Sequence, residues 1–315
     1  MLEANQNVYM DRTATWSSIG RDASECANME EVLERSGLDY TVVKHPVFTE
    51  VGQDVTQRIT IPNRFVTMRA SDNHPYDVVS DKFEIVQNRD AFDFVNYMGD
   101  ELSYEKAGET ANGMVYVIAK LPDVNILGDI FTPHVIFRNG FSGKVKITAA
   151  ICPLRIVCQN QFGFAFKDTQ NSITVRHVQN AEAKLAEAKE TLRMSASYME
   201  ELTRMAEGYA AMHVSGKQVE MIVDAMFPMP DAESMNPYKR KTLESARTAF
   251  LRAHEAEDNA NFRGTAWGLV NAYTDFITHA VPQGKTSTKE EGKFVRVTFG
   301  NSMNRILEVV DSLVA

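Results

Sequence analysis

Residues 134–151 read HVIFRNGFSGKVKITAAI. Two runs rich in β-branched and aromatic residues flank the turn formers Asn139-Gly140, and this arrangement predicts a β-hairpin. In the second arm of the hairpin, Lys144 and Lys146 alternate with apolar residues. Successive side chains of a strand point to opposite faces, so the pattern predicts one basic and one apolar face.

More strands are predicted on the N-terminal side of this hairpin. Short runs of β-branched and aromatic residues, separated by Asp, Asn, Gly and Pro, occur as TVVKHPVF (41–48), FVTMRA (65–70), KFEIVQN (82–88) and MVYVIAKLP (114–122). Helices are predicted at Ser24–Ser36, which Gly37 ends, and after Asp90 as N-cap. Downstream, LRIVCQNQFGFAF (154–166) predicts a strand that runs into a helix.

The composition changes after His177. Residues 178–213 are rich in Ala, Glu, Lys, Leu and Met and contain one glycine and no proline. Leu185, Leu192 and Met199 recur every seven residues, which predicts an apolar stripe on a long helix. Further helices are predicted at 216–227, 239–256, 263–280 and 299–314, the last after a loop at 286–293.

These patterns predict an α+β fold: an antiparallel β-rich N-terminal half with packed helices, followed by a mainly helical C-terminal half. We divide the chain into an N-terminal helical arm (1–39), a β-rich α+β core (40–177) and a helical region (178–315).

Composition limits the class of protein. The chain of 315 residues is 44% hydrophobic and 24% charged, with a net charge of −9. Its three cysteines fit no zinc or redox spacing, so we expect reduced thiols in a cytoplasm. No signal peptide or membrane-spanning run is apparent. We therefore expect a cytoplasmic protein without membrane contact.

The sequence contains no complete motif of a catalytic, cofactor or metal site. Gly284-Lys285-Thr286 resembles the end of a phosphate-binding loop, but His279 occupies the position of the required first glycine. The seven histidines are dispersed, and no GxSxG, GxGxxG or HExxH motif occurs. We predict a protein that is not an enzyme and that has no catalytic residues, cofactor or metal.

One segment is basic in an otherwise acidic chain. Between His134 and His177, six Lys/Arg and one acid give +5, so the rest of the chain carries −14. Cations interleaved with phenylalanines can hold single-stranded nucleic acid, because cations contact phosphates and rings stack on bases. The alternative is that the rings are buried and the lysines form a solvated strand face. The candidate phosphate contacts are Arg138, Lys144, Lys146, Arg155, Lys167 and Arg176, and the candidate stacking rings are Phe141 and Phe164.

Five motifs together resemble a phage/plasmid-like protein family whose domain, the 932 domain, has no assigned function. They are FEIVQN (83–88), YEKAGETANGMVYVIAKLP (104–122), PLRIVCQNQ (153–161), VRH (175–177) and GTAWGLVNAYTDFITH (264–279). Gln161 departs from the family, in which threonine is usual. In outline, a sheet that leads into a helix is also similar to single-strand annealing proteins of the RecT/Red-beta superfamily. The family resemblance implies a protein of a mobile element in a bacterial host cell. The similarity to annealing proteins implies DNA binding as a ring or filament, without ATP.

Two hypotheses of function follow. The first is a non-catalytic, homo-oligomeric nucleic-acid-binding protein of a phage or plasmid that anneals single-stranded DNA in recombination. The second is a phage-encoded interaction protein that inhibits or modulates a host factor such as a defence complex.

Overall fold

The computed structural model describes residues 13–52, 57–165, 170–175, 181–229, 236–280, 289–300 and 302–314. Antiparallel sheets dominate its N-terminal half and helices its C-terminal half, which confirms the predicted fold class. The strands are β1 (Arg21–Asp22), β2 (Val42–Val51), β3 (Gln57–Arg69), β4 (Pro75–Ser80), β5 (Ser103–Glu109), β6 (Met114–Lys120), β7 (Val124–Ile126), β8 (Asp129–Gly140), β9 (Thr148–Arg155), β10 (Asn160–Gln161) and β11 (Ser172–Ile173).

The strands form two sheets. The main sheet has the order β1-β5-β6-β8-β9-β10, with β7 paired to β8 and β11 paired to β9. A second sheet has the order β2-β3-β4. The hairpin predicted at 134–151 is confirmed as β8 and β9, which pair from Phe131–Arg155 to Arg138–Thr148. Its second strand begins only at Thr148, so Lys144 and Lys146 lie in the connection between the strands.

The helices are α1 (Met29–Ser36), α2 (Asn88–Phe92), α3 (Ala181–Ala211), α4 (Gly216–Met226), α5 (Pro237–His254), α6 (Ala266–Asp275), α7 (Lys289–Phe299) and α8 (Arg305–Val314). Local sequence sets their ends. The Asn28 side chain caps α1, and Gly37 ends it in the left-handed conformation at φ 71°. Ser215 and Gln218 form a capping box at the start of α4.

The main sheet is covered on both faces. On one face, a large core cluster includes residues of α1, α3 and α6, with Val117, Val135 and Ile151 from the strands. On the other face, Trp16 and Ile19 of the N-terminal segment and Phe294 of α7 pack on Tyr116 and Ile136. The predicted one-sided strand is therefore wrong: all residues of β9 are buried, because layers cover both of its faces.

The large core cluster draws residues from all three predicted segments, from Ala23 to Val310. The segment boundaries at 39/40 and 177/178 therefore stay predictions. These segments share apolar contacts.

Other sequence predictions differ from the structure in identifiable ways. Residues 83–87 form no strand, and the third strand of the second sheet is instead β4. The helix predicted after Asp90 is α2 followed by two short 3₁₀ turns, Asp93–Tyr97 and Gly99–Glu101. After β9, the chain makes a turn and the two-residue β10 instead of a helix. The predicted loop at 286–293 overlaps the first residues of α7.

No helix in the described ranges is long and apolar enough to cross a membrane.

Candidate nucleic-acid interface

The connection between β8 and β9 presents two lysines to solvent. Lys144 and Lys146 are both exposed, whereas Val145 between them packs in the cluster that contains Phe294 and Phe299. Gly140 permits this packing, because a Cβ there would lie 2.6 Å from Cβ of Val145. The close approach of Val145 to Gly140 thus directs the flanking lysines outward.

Arg138 lies beside this connection, near the end of β8. It pairs with Tyr116 of β6 and Thr148 of β9. Its Cζ lies 4.2 Å from the ring centroid of Phe299 on α7, within the range of a cation–π contact. The side chain is half-buried, and its Nε has no hydrogen-bond partner among the described residues.

Among the described residues, no carboxylate compensates the charge of Arg138. It forms no ion pair with an acidic side chain in the part of the chain that the structure describes. Burial lowers the pKa of its guanidinium, as expected for a cation that loses water without gaining an anion. A half-buried cation in this state is stabilised when an anion approaches it.

Two further cations on α7 extend this basic surface. Lys293 and Arg296 are half-buried and one helical turn apart, and Phe299 follows at the same spacing. Because Arg138 lies on Phe299, the three cations follow one side of the helix. Burial lowers the pKa of Lys293; Glu290 opposes this shift and Arg296 adds to it. We call Arg138, Lys144, Lys146, Lys293 and Arg296 the basic corner.

Sequence analysis missed the contribution of α7. Lys289, Lys293 and Arg296 are spaced i, i+4, i+7, which places them on one face of a helix. The sequence contains this pattern, but residues 286–293 were predicted as a loop.

Arg155 lies at the other end of β9 and belongs to the protein interior. The side chain is 2% exposed. Its Nε and Nη2 donate to Asp129 Oδ2 at 2.8 and 2.6 Å, and Nη2 also donates to the Asp258 carbonyl at 2.7 Å. In this conformation Arg155 cannot contact a phosphate. It joins the start of β8 to the segment after α5.

The two rings chosen for stacking are also inside the protein. Phe141 is 1% exposed and packs on Tyr40 and Tyr76, with ring centroids 5.9 and 5.1 Å away. Phe164 is fully buried against Phe162. Neither ring can stack on a base without local unfolding. Lys167 and Arg176 lie outside the described residues.

Comparison with protein families identifies the chain at the level of a family. The sequence model of a family described as a domain of unknown function, DUF932, matches residues 75–298, which is more than half of the chain. The chain belongs to this family. Searches of curated proteins and of solved structures found no significant match.

The DUF932 match extends from β4 to the penultimate residue of α7. It includes all five residues of the basic corner. It excludes the N-terminal segment, α1, β2 and β3.

No group of three or more His, Cys, Asp or Glu that could hold a metal ion occurs among the described residues. Burial raises the pKa of Cys152 to about 12 and that of Cys158 to about 11. Both thiols are therefore protonated at neutral pH and poor nucleophiles.

Proposed function

We propose that this protein is a non-catalytic nucleic-acid-binding protein that holds single-stranded DNA at the basic corner. The observation that carries the proposal is Arg138, a half-buried cation on Phe299 with no acidic partner in the described ranges. A phosphate offers such a guanidinium the anion that the protein does not supply. Lys144 and Lys146 add exposed charges beside it.

The binding mode is electrostatic rather than base-specific. The five cations of the basic corner come from β8, the β8–β9 connection and α7. Their charges attract the backbone of the nucleic acid, whereas Phe141 and Phe164 are too deeply buried to add stacking. Binding of this kind tolerates many sequences and weakens as salt rises.

The more specific proposal is ATP-independent annealing of complementary strands by a homo-oligomer that a phage or plasmid encodes. It is supported by the five sequence motifs and by the outline of an antiparallel sheet followed by the long helix α3. Similarity of outline alone is weak support for function, so annealing is tested only after binding.

Fluorescence anisotropy of a labelled single-stranded oligonucleotide at two or more salt concentrations tests the proposal. We expect binding by the wild type, and a lower affinity for Lys144→Glu/Lys146→Glu and for Arg138→Gln. Neutralising one phosphate contact changes the slope of log affinity against log salt by about 0.7. The matched control is Lys239→Glu/Lys241→Glu, which changes two exposed lysines near the start of α5 by the same charge.

Two outcomes would contradict the proposal. One is the absence of binding by the wild type at micromolar protein. The other is an equal loss of affinity in the control and the test variants, because affinity would then depend on net charge and not on the basic corner.

A second candidate function is the binding and modulation of a host protein. The observation that favours it is an open apolar cleft of about 490 Å³ between α3 and the edge of the main sheet. Clefts of this size and character commonly hold ligands or side chains of partners. A host protein that is retained by the wild type and lost when Ala196→Arg obstructs the cleft would support this function.

A further inference from the structure

The hairpin of β2 and β3 projects from the body of the protein. Every described residue in 48–52 and 57–64 is exposed, and we call these two ranges the arm. The arm carries four large apolar side chains that are 38–48% exposed: Phe48, Val51, Ile59 and Ile61. Single exposed apolar residues are ordinary, but four on one narrow hairpin mark an interaction surface.

The two faces of the arm differ. On one face, the Arg58 guanidinium covers Phe48 at 4.6 Å from the ring centroid and pairs with Glu50 at 3.2 Å. On the other face, Ile59 lies opposite Thr49, and Val51 follows two residues later on the same side. On this second face Val51 and Ile59 are 46% and 48% exposed, and no described side chain covers them as Arg58 covers Phe48. β2 is also an edge strand of its sheet, so its outer backbone groups can pair with another chain.

The cleft beside α3 has an apolar lining and a charged margin. Its apolar lining comes from Leu121, Pro122, Val124, Pro133, Leu192, Ala196 and Met199. Glu101, Glu200 and Glu207 also border it, together with Arg204, which is paired with Glu201. The cleft is therefore apolar inside and acidic at its margin.

We propose that the arm of one copy of this chain docks into the α3 cleft of a second copy. The apolar face with Val51 and Ile59 would enter the apolar lining. Charge also favours a second copy: the described residues of the arm contain two arginines and one acid, a net +1, whereas the whole chain carries −9. Arg64 is exposed on the arm and has no acidic partner in the described ranges, so it can pair with the acidic margin.

Arm and cleft are different surfaces, so the contact is heterologous. Each copy offers one arm and one cleft, and repetition of the contact builds a ring or an open filament. The arm is small compared with a standard interface, and we expect assembly that depends on protein concentration. This inference concerns assembly and does not depend on whether the chain binds DNA.

Sedimentation velocity over a range of concentrations tests the contact on the full chain. We expect the wild type to form dimers or larger species. Val51→Glu/Ile59→Glu and Ala196→Arg should each weaken self-association about tenfold or more, because a charge then meets the apolar contact. The control is Val78→Glu on β4, which alters an equally exposed apolar residue (54%) outside the arm. Circular dichroism checks that all variants fold.

Mixing the two defective variants gives a second test. The Ala196→Arg chain retains an intact arm and the Val51→Glu/Ile59→Glu chain retains an intact cleft, so together they form one working contact. We expect the mixture to form dimers and nothing larger. A wild type that is monomeric at every concentration, unchanged assembly of the variants, or a mixture that stays monomeric would each overturn the proposal.

Discussion

His134 Nε2 lies 2.8 Å from Glu105 Oε2, in the interior of the main sheet. The other ring nitrogen lies 2.9 Å from the Thr132 carbonyl, which can only accept, so Nδ1 donates to it. Trp16 Nε1 donates to Glu105 Oε1 at 3.0 Å, and the Trp16 and His134 rings lie 4.9 Å apart. This group fastens the N-terminal segment to β5 and β8, and it makes stability depend on pH.

Replacing Glu105 should remove part of the acid sensitivity of the fold. Burial alone would raise the pKa of Glu105, but hydrogen bonds from His134 and Trp16 and the charge of His134 outweigh it and hold the pKa below its usual 4.5. A lowered pKa contributes stability above the unfolded-state value, and this contribution is lost as pH falls through the folded-state value. We expect Glu105→Gln to cost about 1.5–3 kcal/mol at pH 7.

Urea unfolding of wild type and Glu105→Gln at neutral pH and below about pH 4.5 measures this effect. The difference in the free energy of unfolding should narrow as pH falls. A difference that is constant across this range would show that the carboxylate charge of Glu105 does not contribute.

Loss of Arg155 should destabilise the protein rather than alter a binding site. Arg155→Met leaves the Asp129 carboxylate partly buried without its cation, and breaking a buried pair in this way costs about 3–5 kcal/mol. The double variant Arg155→Met/Asp129→Asn should cost less than the sum of the single variants. Additive costs in denaturant unfolding would mean that the two side chains are not coupled.

Gly20 and Gly99 provide a matched pair for backbone and packing effects. Both have left-handed backbone conformations, with φ of 68° and 66°. A Cβ at Gly20 would lie 2.6 Å from the Ala107 carbonyl oxygen and 2.7 Å from the Tyr116 hydroxyl, whereas no atom of the described residues lies within 4 Å of one at Gly99. Gly99→Ala should cost about 1 kcal/mol of backbone strain, and Gly20→Ala more, about 2–3 kcal/mol. Equal thermal shifts would contradict the predicted clash.

Substitution of Phe164 should change stability but not DNA binding, whereas substitution of Lys144 should change DNA binding with little effect on stability. Phe164 is fully buried, so Phe164→Leu should lower the free energy of unfolding by about 1–3 kcal/mol and leave the affinity of the folded protein for single-stranded DNA unchanged. Lys144 is exposed, so Lys144→Ala should change stability by less than about 0.5 kcal/mol and weaken binding. If folded Phe164→Leu bound single-stranded DNA more weakly than the wild type, Phe164 would contact the DNA and the prediction would be wrong.

Local patterns predicted most elements of the fold. Strands β6, β8 and β9 of the main sheet, the end of α1 at Gly37 and the long helix α3 follow from β-branched runs, a glycine and a repeat of apolar residues. Elements without a local signal were missed. β4 is a strand because it pairs with β3, whereas residues 83–87 pair with no strand in the described part of the chain.

The candidate site was predicted less well, because local sequence does not report burial. Lys144 and Lys146 are exposed as expected, but Arg155, Phe141 and Phe164 are buried by segments remote in sequence. Asp258, which accepts a hydrogen bond from Arg155 through its carbonyl, is 103 residues away along the chain. Lys293 and Arg296 were not selected because their proximity to β8 depends on the packing of Phe299 against Arg138.

The sequence by itself determined the strands β2, β6 and β8 and the helices α1 and α3, because these depend on alternation, periodicity and caps within a few residues. Only the tertiary structure decided that both faces of β9 are covered, that Arg155 finds Asp129, and that Arg138 lies on Phe299 without an acidic partner in the described residues. It also decided that the apolar residues of the β2–β3 arm stay exposed. The reason is physical: burial and charge compensation depend on contacts between distant segments, and no local pattern specifies which segments will meet.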